Sequence, residues 1–365
     1  MIKVLIVEDS HTAQLFLSNI LSKDPSIQVI GTASDGIAAL EFLSRSKPDV
    51  ITMDFYMPRM NGLEVTRRIM ETEPVPIVIV STFAEEKERE KVFQFLEAGA
   101  VAVIDKPVAM NHPSFATQSA RLIQTVKNMS EVKLVRRRPT TRTTHGALEA
   151  MKPLPPQPQP PFKPLNDVEL IAIGASTGGP AVIKAVLEGL ERNHPPVVAV
   201  QHIAKGFLPG LVAWLENTTR LKVTIAELGE TLERGRVYFA PEDKHMGVTS
   251  QLRVQLSDAP AMHGLRPAIS HLFQSIAANK LAPHSIGVLM TGMGADGACE
   301  LKLMRDAGAI TIAQDKETSI VYGMPGEAVK LNAAQYVLPP DKIVKRINEI
   351  LSLQPIGQGL APEAE

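Results

Sequence analysis

One stretch constrains the fold of this chain more than any other: Ile171-Ala172-Ile173-Gly174-Ala175-Ser176-Thr177-Gly178-Gly179-Pro180. An apolar run from Val168 to Ile173 reads as a buried strand, and it passes through small residues into a helical pattern over 181–190. Ser176 is thereby placed at the carboxyl end of a strand and close to a helix N-terminus, where open α/β sheets hold ligands and reactive groups. Gly174, Ser176 and Gly178 also spell G-x-S-x-G, a turn that can lift a serine hydroxyl clear of a sheet. A dinucleotide-binding loop is a weaker reading, because Ser176 stands where the second glycine of G-x-G-x-x-G belongs. The bland reading is a turn that satisfies only its own backbone, and the rest of the chain has to separate these.

A length of 365 residues predicts about two domains. The formal net charge of −1 and the scarcity of aromatic residues, 4%, disfavour a nucleic-acid partner, which needs basic stripes and stacking platforms. The single cysteine, Cys299, precludes an internal disulfide framework, fits a reducing compartment, and reads as an inert residue in a helix. The start of the chain carries no secretory pattern, and no apolar run is long enough to cross a bilayer, so a cytoplasmic location without membrane insertion is expected.

From the start of the chain, short apolar strands alternate with amphipathic helices: strands over 3–7, 28–32, 50–53, 75–80 and 101–104, helices over 10–22, 36–44, 62–71, 85–98 and 112–127. This alternation predicts a parallel sheet covered on both faces, with all strand carboxyl ends on one edge. Glu8, Asp9, Asp54, Ser81 and Lys106 all fall at those ends. Three clustered carboxylates repel one another unless a cation joins them, and a hard divalent ion with oxygen ligands, Mg²⁺, answers that need. Asp54 then becomes a candidate nucleophile toward a phosphoryl group, with Lys106 and the Ser81 hydroxyl pairing with its oxygens.

Val7-Glu8-Asp9-Ser10, Met53-Asp54-Phe55-Tyr56-Met57-Pro58-Arg59-Met60-Asn61-Gly62 and Lys106-Pro107 together resemble the receiver domain of two-component response regulators. The resemblance implies a flavodoxin-like fold, phosphorylation on Asp54, and Mg²⁺ held by Glu8, Asp9 and Asp54 with the backbone carbonyl of Tyr56. It also implies a switch through Ser81 and Lys106, and a cis peptide bond before Pro107. Two positions depart from the usual pattern: Val103 stands where an aromatic switch residue is common, and Asn61 where aspartate is.

Between 128 and 166 the apolar periodicity stops. Arg136-Arg137-Arg138 and the prolines from Pro153 to Pro161 predict a flexible linker, part coil and part polyproline II. The domain plan is thus 1–127, linker 128–166, a second domain over 167–354, and a disordered tail over 355–365.

In the second domain, strands over 197–201 and 285–290 end at His202 and at the glycine-rich turn Thr291-Gly292-Met293-Gly294-Ala295-Asp296-Gly297. Further β segments are expected over 222–225, 236–239, 253–256 and 309–313, and helices over 209–216, 267–279, 326–331 and 341–353. Ser176, His202 and Asp296 each lie just past a strand end, and such ends are neighbours in a doubly wound sheet. These are the three residue types acyl transfer needs: a hydroxyl that attacks, an imidazole that takes its proton, and a carboxylate that fixes the imidazole. Backbone N–H groups around Met293 would face the oxyanion. Taken singly, His202 reads as a packed strand-end histidine and Asp296 as a helix cap. The order serine, histidine, aspartate differs from the serine, acid, histidine order of ordinary α/β-hydrolases. His194, His245, His263, His271 and His284 lack metal-ligand spacing.

Ile173-Gly174-Ala175-Ser176-Thr177-Gly178-Gly179, Gln201-His202 and the 289–297 turn are similar to the catalytic domain of chemotaxis protein-glutamate methylesterases, a Rossmann-like fold. Phe239-Ala240-Pro241 and Tyr322-Gly323-Met324-Pro325 extend the match. The resemblance implies hydrolysis of glutamate methyl esters on chemoreceptors, and deamidation of glutamines. Ser176 would be nucleophile, His202 base and Asp296 its orienting acid, with the Met293 N–H at the oxyanion and Thr177 in support. One departure is Ser270, where close relatives commonly carry aspartate; the position bears on the shape of the substrate contacts, so substrate affinity is the property this departure affects. Expected partners are methyl-accepting chemoreceptors and a histidine kinase as phosphodonor, with no nucleic acid. The hydrolase reaction itself would need no cofactor. Phosphorylation would relieve a block by the receiver on the serine site. The alternative is a phosphorylation-dependent binding regulator without catalysis.

Overall fold

The computed structural model describes residues 1–82, 86–132 and 168–353, without the side chains of 86–90. The expected linker, apart from its first residues, and the expected tail lie outside the described residues.

The N-terminal unit is built from β1 (Ile2–Val7), α1 (His11–Leu21), β2 (Ile27–Ala33), α2 (Gly36–Leu43), β3 (Val50–Met53), α3 (Gly62–Thr72), β4 (Ile77–Ser81), α4 (Glu86–Ala98), β5 (Ala102–Asp105) and α5 (Phe115–Ser130). Its sheet is parallel, in the order β2-β1-β3-β4-β5. That order reverses beside β1, and the crevice at such a reversal is where doubly wound sheets bind their ligands. Side chains on β1, β3 and β4 are buried on both faces, from Val4 and Leu5 to Ile79 and Val80, which is why these strands read as unbroken apolar runs.

Local chemistry fixes the helix starts. Ser10 accepts from the Ala13 N–H, Asp35 from the Ile37 and Ala38 N–H groups, and Asn61 from the Glu64 N–H. Three boundaries differ from expectation. β4 begins after Pro76, which has no N–H to give the ladder, and runs on to include Ser81. α5 begins after Pro113, because the residue before a proline is disfavoured in helical geometry, and it continues to Ser130, past the expected end of the domain at 127. The Lys106–Pro107 bond is trans; the cis peptide among the described residues is Arg266–Pro267. Trans is the lower-energy form of an X–Pro bond, and Lys106 reaches its partners from it.

The C-terminal unit follows with β6 (Leu170–Ala175), α6 (Gly179–Glu188), β7 (Val197–Gln201), α7 (Leu208–Thr219), β8 (Lys222–Ile225), β9 (Arg236–Phe239), β10 (His245–Val248), β11 (Val254–Ser257), α8 (Ile269–Ala278), β12 (Ser285–Leu289), α9 (Ala298–Asp306), β13 (Ile310–Gln314), α10 (Met324–Lys330), β14 (Tyr336–Leu338) and α11 (Pro340–Ser352). Seven strands form one parallel sheet in the order β14-β13-β12-β6-β7-β9-β8, while β10 and β11 make a separate antiparallel ribbon. β10 and β14 escape a sequence reading. His245-Met246-Gly247-Val248 has neither alternation nor a branched run, and a three-residue edge strand is too short to show a period. The core beneath β10 and α8 gathers Tyr238, Met246, Phe273, Ile276 and Leu301, all fully buried.

Asp35 is buried, caps α2 and pairs with Arg59. Asp35→Ala is expected to destabilise the N-terminal unit by about 1–2 kcal/mol through the cap alone, read as a lower urea midpoint for that unit's transition in the full chain.

Candidate active site

In the C-terminal unit β6 lies between β12 and β7, with Leu289 opposite Gly174 and Ala175 opposite Gln201. β6 extends two residues further than its apolar run because Gly174, silent as a strand former, is paired with Leu289 and Val200, and Ala175 with Gln201. Ser176 is therefore the first residue beyond the strand, and His202 the first beyond its neighbour. The Gln201 side-chain amide donates to the carbonyls of both Ser176 and His202, at 2.8 Å each. The backbone positions of the two residues are tied together by one side chain.

The G-x-S-x-G turn is relaxed at its serine. The left-handed residue is Gly178 (φ 80°), which opens α6; Ser176 is not among the residues with positive φ. The hydroxyl gains its position from the strand end rather than from a strained turn.

Asp296 comes from the loop after β12. Its carboxylate does cap a helix, though not the one that follows it: Oδ2 accepts from the Ile269 N–H at 2.7 Å and Oδ1 from the Ser270 N–H at 3.0 Å, at the start of α8. His202 Nε2 lies 3.0 Å from Oδ2, with its N–H not aligned on that oxygen. Burial alone would push the Asp296 carboxyl up. The approach of His202 and the bonds from Ser270 and the Ile269 N–H outweigh it and hold the group below the usual carboxylate range. The residue preceding these donors, Ala268, gives its own N–H to His245 Nδ1 at 3.2 Å. His245 itself is fully buried and stacks on His271 with centroids 4.7 Å apart.

Ser270 is held inside the protein, where its bonds run to the loop that carries Asp296. It is fully buried, donates to Glu300 Oε2 at 2.7 Å and accepts from the Gly297 N–H at 3.0 Å. It braces the Asp296 loop from both its backbone and its side chain. Thr177 is half-buried, and its carbonyl accepts from Thr291 Oγ1 at 2.9 Å. Met293 is 48% exposed beside this rim. Gln201, Thr291, Gln314 and Glu300 carry supporting bonds that sequence reasoning did not assign. Only the adjacency of Gln201 to His202 could have signalled one of them.

The N-terminal unit has a second polar centre. Ligand atoms of Glu8, Asp9 and Asp54 lie within 4.8 Å of one another, Glu8 and Asp54 buried and Asp9 exposed. Lys106 Nζ reaches Glu8 Oε2 at 2.8 Å and Asp54 Oδ2 at 3.4 Å. Ser81 Oγ donates to Asp54 Oδ1 at 2.5 Å, and the Phe55 N–H donates to the same oxygen at 2.7 Å. Burial, reinforced by the Asp54 charge, raises the Glu8 carboxyl despite Lys106. One ammonium facing three carboxylates leaves negative charge uncompensated, and the all-oxygen donor set fits a hard divalent cation. Tyr56 is 47% exposed with its ring against Phe55, centroids 4.6 Å apart. Val103 is half-buried opposite Ile79 on β4.

Family models match in two places: a response regulator receiver domain over residues 4–113 and a CheB methylesterase domain over 171–347. A protein-glutamate methylesterase/protein-glutamine glutaminase of Geobacter metallireducens is 48% identical over 96% of this chain and 99% of its own length. The chain belongs to this family. A relative of the same name from Syntrophus aciditrophicus is 47% identical over 94% of this chain and 97% of its own. The methylesterase catalytic domain of Thermotoga maritima, a solved structure, is 35% identical with a TM-score of 0.48, covering 51% of this chain and 100% of that one. Among the described residues no helix is long and apolar enough to cross a membrane.

A carboxyl group held low contributes stability that is complete above its ordinary value and disappears as pH falls through its folded value. The C-terminal unit of wild type is thus expected to lose stability on acidification below about pH 4, and Asp296→Asn to show a shallower loss, as measured by denaturant unfolding of both proteins between pH 6 and about pH 2.

Proposed function

We propose that this chain is a phosphorylation-activated serine hydrolase that removes methyl groups from glutamate γ-methyl esters on methyl-accepting chemoreceptors, giving glutamate and methanol. The observation that carries the reading is that Ser176 and His202 directly follow adjacent parallel strands, their carbonyls bridged by Gln201, and that Asp296, from the loop after the third strand, lies at ion-pair distance from His202. The names of the relatives, which cover nearly the whole chain, support the same substrate class.

The residues would act in this order. Asp296 engages Nε2 of His202, which leaves Nδ1 to take the Ser176 proton as Oγ attacks the ester carbonyl. The carbonyl oxygen becomes an oxyanion facing the Met293 N–H, a contact worth about 3 kcal/mol in comparable sites. The protonated imidazole then returns its proton to the departing methoxide, releasing methanol. Water, deprotonated by the same imidazole, opens the Ser176 acyl ester to glutamate and restores the hydroxyl. With a glutamine side chain the same steps release ammonia, so deamidation needs no further group. Thr177 supports the turn through its carbonyl.

At the other centre, Asp54 is the proposed phosphoacceptor, with a histidine kinase as donor. Glu8, Asp9 and Asp54, with the Tyr56 carbonyl, would hold Mg²⁺, which when bound neutralises charge around the phosphoryl group. Ser81 and Lys106, both already bonded to Asp54, would turn to the phosphoryl oxygens. The bonds that now satisfy the carboxylate are the ones the phosphoryl group would claim, which is how a modification at one atom rearranges β4 and β5. Near-complete switching requires a shift of about 5 kcal/mol.

Methanol release from methylated receptor membranes tests both parts. Ser176→Ala is expected to lower the rate by roughly 10⁴- to 10⁶-fold, as removal of a triad member does elsewhere. A small phosphodonor is expected to raise the rate of wild type and leave Asp54→Asn unchanged. Equal wild-type rates with and without the donor would end the activation reading, and a regulator without catalysis would release no methanol from any form.

A further inference from the structure

We infer that Val321-Tyr322-Gly323-Met324 is a positioning clamp for the Gly292–Met293 peptide, fixing the direction of the Met293 N–H; this rests on the hydrolase reading above.

The polar backbone atoms of Thr291 and Gly292 are all engaged. The Thr291 N–H donates to Gln314 Oε1 at 2.8 Å, and the Thr291 carbonyl accepts from the Ser176 N–H at 3.0 Å. The Gly292 N–H donates to the Val321 carbonyl at 3.0 Å. The Gly292 carbonyl accepts twice, from the Gly323 N–H at 3.1 Å and the Met324 N–H at 2.9 Å. In a trans peptide the N–H points opposite to the C=O. Two donors on the Gly292 oxygen therefore set where the Met293 N–H points. They also polarise the peptide, and hydrogen bonds in series strengthen one another. The Met293 N–H is thereby a better donor to a developing negative charge.

Steric contacts say the same. A Cβ on Gly292 would lie 2.6 Å from Ser176 Cβ and 2.5 Å from Met324 Sδ, so this peptide runs between the serine and the clamp with no slack. A Cβ on Gly323 would lie 2.7 Å from the Gly292 oxygen and 2.8 Å from the Gly294 nitrogen. Both are backbone atoms of the turn that carries Met293, and neither can turn aside as a side chain would. The fully buried Thr291 hydroxyl joins the parts: it donates to the Thr177 carbonyl at 2.9 Å and accepts from the Val321 N–H at 3.0 Å. The turn after β6, the turn after β12 and the start of α10 form one bonded unit around the serine.

A clamp of this kind acts on the transition state and leaves ground-state binding alone, because the oxyanion exists only after attack. The test uses the full chain with a small phosphodonor, methylated receptor membranes as substrate, and a peptide trifluoromethyl ketone as tetrahedral mimic. Gly323→Ala and Thr291→Val are each expected to lower kcat, Gly323→Ala by about 10²-fold, with KM within about twofold and affinity for the ketone falling by the same factor as kcat. Thr291→Ser, which keeps the hydroxyl, is expected to restore most of the rate. Should Gly323→Ala not fold, the Thr291 pair decides alone. Wild-type kcat in the variants, a change confined to KM, or lost kcat with undiminished ketone affinity would overturn the clamp. Ser176→Ala run in parallel separates the two claims: methanol release surviving in that variant would overturn the hydrolase reading itself, whatever Gly323→Ala does.

Discussion

The parallel ladder β12-β6-β7 is the constraint on which the rest depends. Register across two strand pairs brings Leu289, Gly174 and Val200 to one level, so the segments that leave those strands start from a common rim. Nothing local in Ser176, His202 or Asp296 would bring them together across more than a hundred residues. Burial of Ile171, Ile173, Val198, Val200, Ile286 and Val288 on both faces of the sheet does so, because these side chains have no other place to leave water.

The two polar centres solve opposite versions of one electrostatic problem. Asp296 is a single buried carboxylate, and the protein compensates it internally, with two N–H groups of α8, the Ser270 brace and the His202 ring. That compensation favours the charged form of the carboxyl group. Glu8, Asp9 and Asp54 are deliberately undercompensated: Lys106 supplies one positive charge to three carboxylates. A centre left short of positive charge suits a hard cation.

Much of this was legible in the chain. Apolar runs of four to six residues located the central strands of both sheets. The candidate site residues were chosen because they fall repeatedly at strand ends. What escaped was whatever depends on pairing rather than on pattern. β6 runs through Gly174 and Ala175, β10 and β14 carry no period, and the burial of Ser270 follows from tertiary packing. The helix that Asp296 caps could not be named either, because α8 precedes it in the chain and α9, the natural candidate, is opened by Gly297.

The sequence by itself therefore determined the α/β class of both units, the order of most of their strands and helices, and which side chains are candidates for the chemistry, since hydrophobic period and residue chemistry are local properties. Tertiary structure alone decided which nitrogen of His202 faces Asp296, which backbone groups hold that carboxylate, and which segment pins the Gly292 carbonyl. Those are matters of a few ångströms between segments distant in the chain, and only the packed sheet, with every strand fixed by its neighbours, sets distances of that kind.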